Sequence, residues 1–228
     1  MIVFAGPSVP AATRVHHPAI DWRPPAEAGD LLALLNERPE KVLLIDGLFD
    51  ERASVKHKEA MALMAAGTRL YGATSMGALR AAELYGEGMI PLGAIANAYL
   101  SGLLVGDDEV ALVHGDARIH WKAVSVAMVD VRATLVHAVR ERVVTPDEAR
   151  RLRQCWHDIH YVDRDWPVMI EMQDIVPSQK AEIIARLAVP LKQRDAAHAI
   201  ALALAHRDHQ TAVAPPQTLF FDRLAEDA

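Results

Sequence analysis

The chain has 228 residues, of which 51% are hydrophobic and 24% are charged, and its formal net charge is −6. This composition is typical of a globular protein, and it excludes a disordered chain, a collagen-like chain and a pure coiled coil. An acidic balance without a Lys- or Arg-rich run argues against nucleic-acid binding, which needs a basic face to neutralise phosphates. We therefore expect a folded protein with a sizeable core.

The cysteine content indicates a reducing compartment. Cys155 is the single cysteine, so the chain has neither an internal disulfide nor a CxxC pair for zinc or redox chemistry. The apolar stretch over residues 1–5 is too short for a signal peptide and has no basic residue before it. No stretch approaches the ~20 apolar residues of a membrane span. We expect a cytoplasmic protein.

Short apolar runs alternate with helical patterns in the first half of the chain. Strands are predicted over 2–5, 42–45 and 69–71, with helices over 30–35, 54–66, 76–85 and 91–101. Two further strands, over 109–114 and 118–126, are predicted to form a hairpin. This order predicts a mostly parallel sheet with flanking helices.

Longer helical patterns follow residue 130, over 131–141, 146–159 and 178–206 with an interruption at Pro190. The predicted fold class is therefore α/β, with an N-terminal mostly parallel sheet and a helical C-terminal portion. We expect an α/β core with a catalytic edge and the hairpin over residues 1–128. The helical portion over residues 129–228 is expected to pack on that core.

The loop at 73–77 carries the sharpest chemical signal. It joins a predicted strand to a helix through Ala73-Thr74-Ser75-Met76-Gly77, the small-x-Ser-x-small pattern of a nucleophile elbow. Such a turn presents the Ser75 hydroxyl at the sheet edge and places the Met76 N–H at a helix start, where it can stabilise an oxyanion. The alternative is that Thr74 or Ser75 only caps the helix.

A serine nucleophile needs a base, and the nearest candidates lie in the first turn of the helix over 54–66. Lys58 and Glu59 share a helical face with apolar residues, whereas Lys56 and His57 face outward. An ordinary lysine is charged at neutral pH, so Lys58 can act as a base only where burial and a helix N-terminus favour its neutral form. His57 is the easier base electrostatically. The residues alone leave both open.

Other polar side chains give weaker signals. Asp46 follows a strand and either orients the base or caps its own loop. Arg80 and Glu83 are one helical turn apart and are expected to form a structural pair. Residues 107–109 (Asp-Asp-Glu) and His114 have the donor types of a cation site, but a solvated hairpin entry is the favoured interpretation, and we expect no metal.

Several segments, in this order, resemble the TfuA-like family: Gly6–Ser8, Ile45–Phe49, His57–Glu59, Gly72–Leu84, Asp107–Gly115 and Val131–Leu135. The resemblance covers about residues 2–135 of the chain. Proteins of that family act beside YcaO enzymes, which activate a peptide amide with ATP so that a sulfur nucleophile can replace the amide oxygen.

The resemblance implies a hydrolase that supplies this sulfur. It would cleave the C-terminal thiocarboxylate of a ubiquitin-like, ThiS-type carrier and release sulfide for backbone thioamidation of a ribosomally made peptide, without a cofactor. The expected partners are the YcaO-type enzyme, the carrier and, through the YcaO enzyme, the substrate peptide. The Ser–Lys pair of the family falls on Ser75 and Lys58. The remaining predicted site residues support the base or the oxyanion: Met76, Gly77, Gly6, Gly47, Asp46, His57 and Glu59.

Two other functions stay open at this point. The chain could be a non-catalytic adaptor that binds and activates a YcaO-type enzyme and its peptide, with Ser75 serving only as a helix cap. A generic esterase or peptidase is the third, and such an enzyme would be indifferent to a ubiquitin-like carrier.

Overall fold

The computed structural model describes residues 1–48 and 53–207. Its strands are β1 (Ile2–Phe4), β2 (Asp21–Arg23), β3 (Lys41–Leu44), β4 (Arg69–Ala73) and β5 (Ile90–Leu92). Its helices are α1 (Ala11–Arg14), α2 (Asp30–Glu37), α3 (His57–Ala65), α4 (Met76–Glu83), α5 (Gly93–Leu100), α6 (Met128–Arg140), α7 (Pro146–His157), α8 (Trp166–Glu171), α9 (Ser178–Arg186) and α10 (Leu191–Ala205). Within this described part, no helix is long and apolar enough to cross a membrane.

The strands form one parallel sheet in the order β2-β1-β3-β4-β5. This is one of the common orders of doubly wound sheets, in which the direction of winding reverses between β1 and β3. The loops that follow β1, β3 and β4 therefore emerge side by side at the carboxyl edge of the sheet. The predicted fold class is confirmed, and the short edge strands β2 and β5 add to the predicted β1, β3 and β4.

Alternate side chains of the central strands enter two apolar layers. Val42 and Leu44 pack with buried residues of α2, α3 and α4 on one face, while Leu43 and Ile45 pack with α10 on the other. The α10 contribution is a stripe of small and apolar residues, namely Ala196, Ala199, Ile200 and Ala203. Because both faces are covered, the central strands β3 and β4 do not alternate with polar residues after their first residues, Lys41 and Arg69.

The chain divides into two compact units. Among the described residues, the first contains 1–48, 53–105 and 195–207, and the second contains Gly106–Arg194. The sequence predicts a division near residue 128, whereas residues 106–128 group with the helices of the second unit. A core around the fully buried Trp156 holds α6, α7, α8 and α9 together.

The predicted hairpin over 109–114 and 118–126 is wrong. These residues form short 3₁₀ helices at Asp107–Glu109 and Ala117–Ile119, and a single antiparallel bridge joins His114 to Ala123. Glu109 is buried and pairs with Arg132 of α6, which fixes the start of this segment against a helix instead of a strand.

Candidate functional site

The turn between β4 and α4 is strained at Thr74. This residue is fully buried and has a φ of +68°, and Ser75 N donates to Ala73 O at 2.8 Å around it. A β-branched residue in the left-handed region is a true outlier, and such strain costs ~1–3 kcal/mol. The chain thus reverses sharply after β4 and places Ser75 directly before the first residue of α4. The elbow pattern predicts a strained serine backbone, whereas Ser75 has a φ of −114° and the positive φ falls on Thr74.

Two glycines allow this turn to pack closely. A Cβ placed on Gly77 would lie 1.9 Å from the Leu44 carbonyl oxygen, and one on Gly72 would lie 2.1 Å from the Gly77 carbonyl oxygen. The Met76 side chain covers Gly47, where an added Cβ would lie 1.7 Å from Met76 Cε. Gly77 is therefore required by packing against β3, and Gly72 by packing against α4.

Neither hydroxyl of the turn caps α4. Ser75 occupies the N-cap position and is 8% exposed, yet its side chain makes no capping hydrogen bond. The Thr74 hydroxyl instead donates to Asp195 Oδ2 at 2.8 Å. The interpretation of either residue as a side-chain cap of α4 is wrong.

The backbone donors near Ser75 are not equivalent. Gly77 N donates to Ile45 O at 3.1 Å, and Gly6 N donates to Asp46 Oδ2 at 2.8 Å, so neither N–H is available to an oxyanion. Met76 N donates to no acceptor among residues 1–48 and 53–207. This leaves the Met76 N–H, at the start of α4, as the donor next to Ser75.

The backbone N–H of Gly47 is a second candidate hydrogen-bond donor for an oxyanion. The residues on either side of it, Asp46 through its carbonyl and Leu48 through its N–H, both bond to Ala26. In a parallel bridge the intervening residue directs its own N–H to the opposite side of the strand. The Gly47 N–H therefore faces away from Ala26. Gly47 itself lies under the Met76 side chain.

Asp46 ties the loops after β1 and β3 together. Its buried carboxylate accepts from Gly6 N at 2.8 Å, from Ser8 N at 3.0 Å and from the Ser8 hydroxyl at 2.7 Å. These bonds hold both loops at the point where the winding of the sheet reverses. Of the two roles left open by the sequence, the structure thus supports a loop-fixing role for Asp46.

The first turn of α3 lies beside α4. Arg80 Nη1 is 2.9 Å from His57 Nε2, and Glu83 Oε2 is 3.0 Å from the same nitrogen. Arg80 and Glu83 also pair with each other at 2.5 Å, which confirms the predicted pair. His57 is exposed, as is Lys56, whereas Lys58 is half-buried. The predicted inward and outward faces of this turn are confirmed.

Glu59 holds α2 and does not face the turn at Ser75. Its buried carboxylate accepts from Gly29 N at 2.8 Å, at the start of α2, and from Lys56 N at 3.3 Å. Burial raises the pKa of Glu59 above its ordinary value, against the opposing effect of these two hydrogen bonds. Glu59 therefore links the start of α2 to α3 through these hydrogen bonds.

Two of the predicted cation-site donors, Asp108 and Glu109, lie beside arginines. Glu109 pairs with Arg132, and Asp108 lies 3.8 Å from the buried Arg164 and 3.5 Å from His157. In the part of the chain that the structure describes, no group of three or more His, Cys, Asp or Glu side chains is placed to hold a metal ion.

The family model described as TfuA-like protein matches residues 46–165, more than half of the chain. The chain belongs to the TfuA-like family. No curated protein sequence matches it. The matched range of this TfuA-like protein contains Lys58, Ser75 and the Arg80–Glu83 pair.

Sequence reasoning missed Asp195, which lies outside the matched range of this TfuA-like protein. Asp195 is 5% exposed and accepts from the Thr74 hydroxyl and from Ala94 N at 2.5 Å. Burial raises the pKa of Asp195, while these hydrogen bonds act in the opposite direction. The available signal was a carboxylate on the same helical face as the buried Ala199 and Ala203.

Proposed function

We propose that this TfuA-like protein is a hydrolase that cleaves the C-terminal thiocarboxylate of a ubiquitin-like, ThiS-type carrier. The sulfide that it releases would serve a YcaO-type partner in thioamidation of a peptide backbone, in the cytoplasm. The observation that carries the proposal is the strained turn at Thr74. It sets Ser75 at the start of α4 with a side chain that does not cap the helix, next to a Met76 N–H that has no acceptor among the described residues.

The proposed reaction is an acyl transfer in two steps. Lys58 takes the proton of the Ser75 hydroxyl while the serine oxygen attacks the thiocarboxylate carbon. The Met76 N–H, with the Gly47 N–H as second donor, stabilises the oxyanion. Collapse of this intermediate breaks the C–S bond, and the sulfide leaves with the proton from Lys58, so that an ester of Ser75 remains. Water then hydrolyses the ester to the carrier carboxylate and the free serine.

The surroundings of α3 favour Lys58 over His57 as the base. Both imidazole nitrogens of His57 lie within 3.2 Å of Arg80 Nη1, and Glu83 also contacts the ring. Both ring nitrogens of His57 are thus engaged by side chains of α4. Lys58 is the next residue and is half-buried, as a lysine base requires.

This chemistry does not require a carboxylate as a third catalytic residue beside Ser75 and Lys58. Sulfide is a much better leaving group than an amine, so little general-acid assistance is needed and a Ser–Lys pair is sufficient. The engagement of Asp46 by Gly6 and Ser8 is compatible with a site that does not use it as an orienting acid.

The proposal is tested by sulfide release from a purified thiocarboxylated carrier. Ser75→Ala is expected to lower kcat at least ~10³-fold, and Lys58→Ala at least ~10²-fold, because each removes a group that acts in the chemical step. The matched controls are Ser101→Ala, at an exposed serine, and Lys56→Ala, in the same turn of α3. Both controls are expected to stay within ~3-fold of the wild type.

The same variants separate a hydrolase from an adaptor. A hydrolase predicts that Ser75→Ala still binds a YcaO-type enzyme, measured by isothermal titration, but supplies no sulfide. Sulfide release by Ser75→Ala at the wild-type rate would exclude Ser75 as the nucleophile. If the wild type itself releases no sulfide, the hydrolase is excluded. An adaptor role is then what remains for this family member.

A further inference from the structure

Asp195 is a buried carboxylate at the same sheet edge as Ser75. It lies in α10, and its oxygens accept from the Thr74 hydroxyl at 2.8 Å, from Ala94 N at 2.5 Å and from Ile95 N at 3.4 Å. The last two donors begin α5, whose N-terminal end favours a negative charge. The Asp195 side chain thus connects the turn after β4 to the start of α5.

The backbone is shaped around this carboxylate on both sides. Gly93, at the start of α5, has a φ of +87°, and a Cβ placed on it would lie 2.5 Å from Asp195 Oδ1. Thr74, at the end of β4, has a φ of +68°. Glycine adopts the left-handed region without cost, whereas a threonine persists there only when its surroundings enforce it.

The hydrogen bond from the Thr74 hydroxyl to Asp195 helps to enforce the positive φ of Thr74. In the described part of the chain, Asp195 is the hydrogen-bond partner of the Thr74 hydroxyl. Because Thr74 directly precedes Ser75, its dihedral angles decide where the Ser75 side chain and the Met76 N–H point. A relaxed Thr74 would therefore move the nucleophile and the oxyanion donor together.

We propose that Asp195 is a positioning residue for Ser75, acting through the left-handed conformation of Thr74. This inference rests on the proposed hydrolase function. Both oxygens of Asp195 are engaged by Thr74 and by the start of α5, so its role is to hold geometry and not to supply charge to the reaction.

Two substitutions at Asp195 separate geometry from charge. In Asp195→Asn, the amide oxygen can accept from Ala94 N and Ile95 N as Oδ1 does, and the amide NH₂ can donate to the Thr74 oxygen in place of Oδ2. We expect this variant to keep kcat within ~3-fold of the wild type. Asp195→Ala removes all three bonds and is expected to lower kcat at least ~10-fold with an unchanged KM for the carrier.

Substitutions at Thr74 test the route of the effect. Thr74→Val keeps the shape of the side chain and leaves Asp195 bonded to α5, so it is expected to reproduce the kcat loss of Asp195→Ala even where that variant folds poorly. Thr74→Gly adopts the left-handed region without support. In the Thr74→Gly background, Asp195→Ala is therefore expected to change kcat less than ~2-fold.

A structural readout makes the test independent of sulfide release. The backbone amide signals of Ser75 and Met76, measured by ¹⁵N–¹H NMR without substrate, are expected to shift in Thr74→Val and Asp195→Ala and to stay in place in Asp195→Asn. If the wild type releases no sulfide, the hydrolase fails while the amide signals still report on positioning. Unshifted signals in Thr74→Val, or a kcat in Asp195→Asn as low as in Asp195→Ala, would overturn the inference.

Discussion

Ser8 donates both its backbone N–H and its hydroxyl to the carboxylate of Asp46, at 3.0 and 2.7 Å. Both residues are buried, and the same carboxylate also accepts from Gly6 N. The relationship joins the loops after β1 and β3 next to the segment that carries Ser75. It makes Asp46 a stabilising residue of the candidate site.

Asp46→Ala is therefore expected to destabilise the protein by ~3 kcal/mol, because it leaves three buried donors without their acceptor. The measurement is the free energy of unfolding in urea. Asp21→Ala is the matched control, since Asp21 pairs with Arg23 at the surface and is expected to contribute less than ~1 kcal/mol. A loss below ~1 kcal/mol for Asp46→Ala would show that its bonds do not hold the loops.

Gly77→Ala is expected to cost at least ~2 kcal/mol of stability, because the new methyl group would meet the Leu44 carbonyl at 1.9 Å. Gly86→Ala is the control, since no heavy atom lies within 4 Å of an added Cβ there. That control is expected to stay within ~0.5 kcal/mol of the wild type. Equal thermal unfolding of the two variants would contradict the close packing of the Ser75 turn against β3.

Glu59 gives a dependence of stability on pH. Because burial raises its pKa, the folded protein holds the Glu59 proton more tightly than the unfolded chain does. Its contribution is fully present below the unfolded pKa of about 4.3 and is lost as the pH rises through the folded value. Glu59→Gln cannot titrate. The free energy of unfolding of the wild type minus that of Glu59→Gln should fall from about pH 4 to pH 7, and a constant difference would refute this assignment.

Two substitutions separate the candidate bases. Lys58→Arg keeps the positive charge but cannot lose its proton near neutral pH, so sulfide release is expected to fall at least ~10²-fold. His57→Gln is expected to stay within ~3-fold, because His57 is exposed and engaged by Arg80 and Glu83. A Lys58→Arg protein as active as the wild type would mean that Lys58 acts through its charge and not as a base.

Much of the first unit could be predicted because its signals are local. Gly77 marks the close approach to β3, and the apolar run over Val42–Ile45 marks a strand buried on both faces. The edge strands carry no such signal, since Asp21–Arg23 is polar and half-exposed and Ile90–Leu92 contains a proline. Short strands of this kind are defined by their neighbours in the sheet.

The parts that escaped prediction depend on distant pairings. Asp195 and Thr74 are 121 positions apart in the chain, and the local sequence around either residue does not predict their hydrogen bond. The turn at Gly115-Asp116 predicts a hairpin over 109–126, but the pairing of Glu109 with Arg132 and the bond from Val113 N to Ser125 Oγ favour a folded loop. Tertiary contacts decided these segments against their local pattern.

The most direct measurement identifies the side chain that accepts the acyl group of the carrier. A reaction of the wild type with thiocarboxylated carrier is quenched in acid during the first turnover, digested and analysed by mass spectrometry, beside Ser75→Ala. A Ser75 nucleophile predicts the C-terminal residue of the carrier in ester linkage to Ser75, with neither this ester nor sulfide from Ser75→Ala. Sulfide release by Ser75→Ala at the wild-type rate, or an acyl group on another side chain, would contradict it.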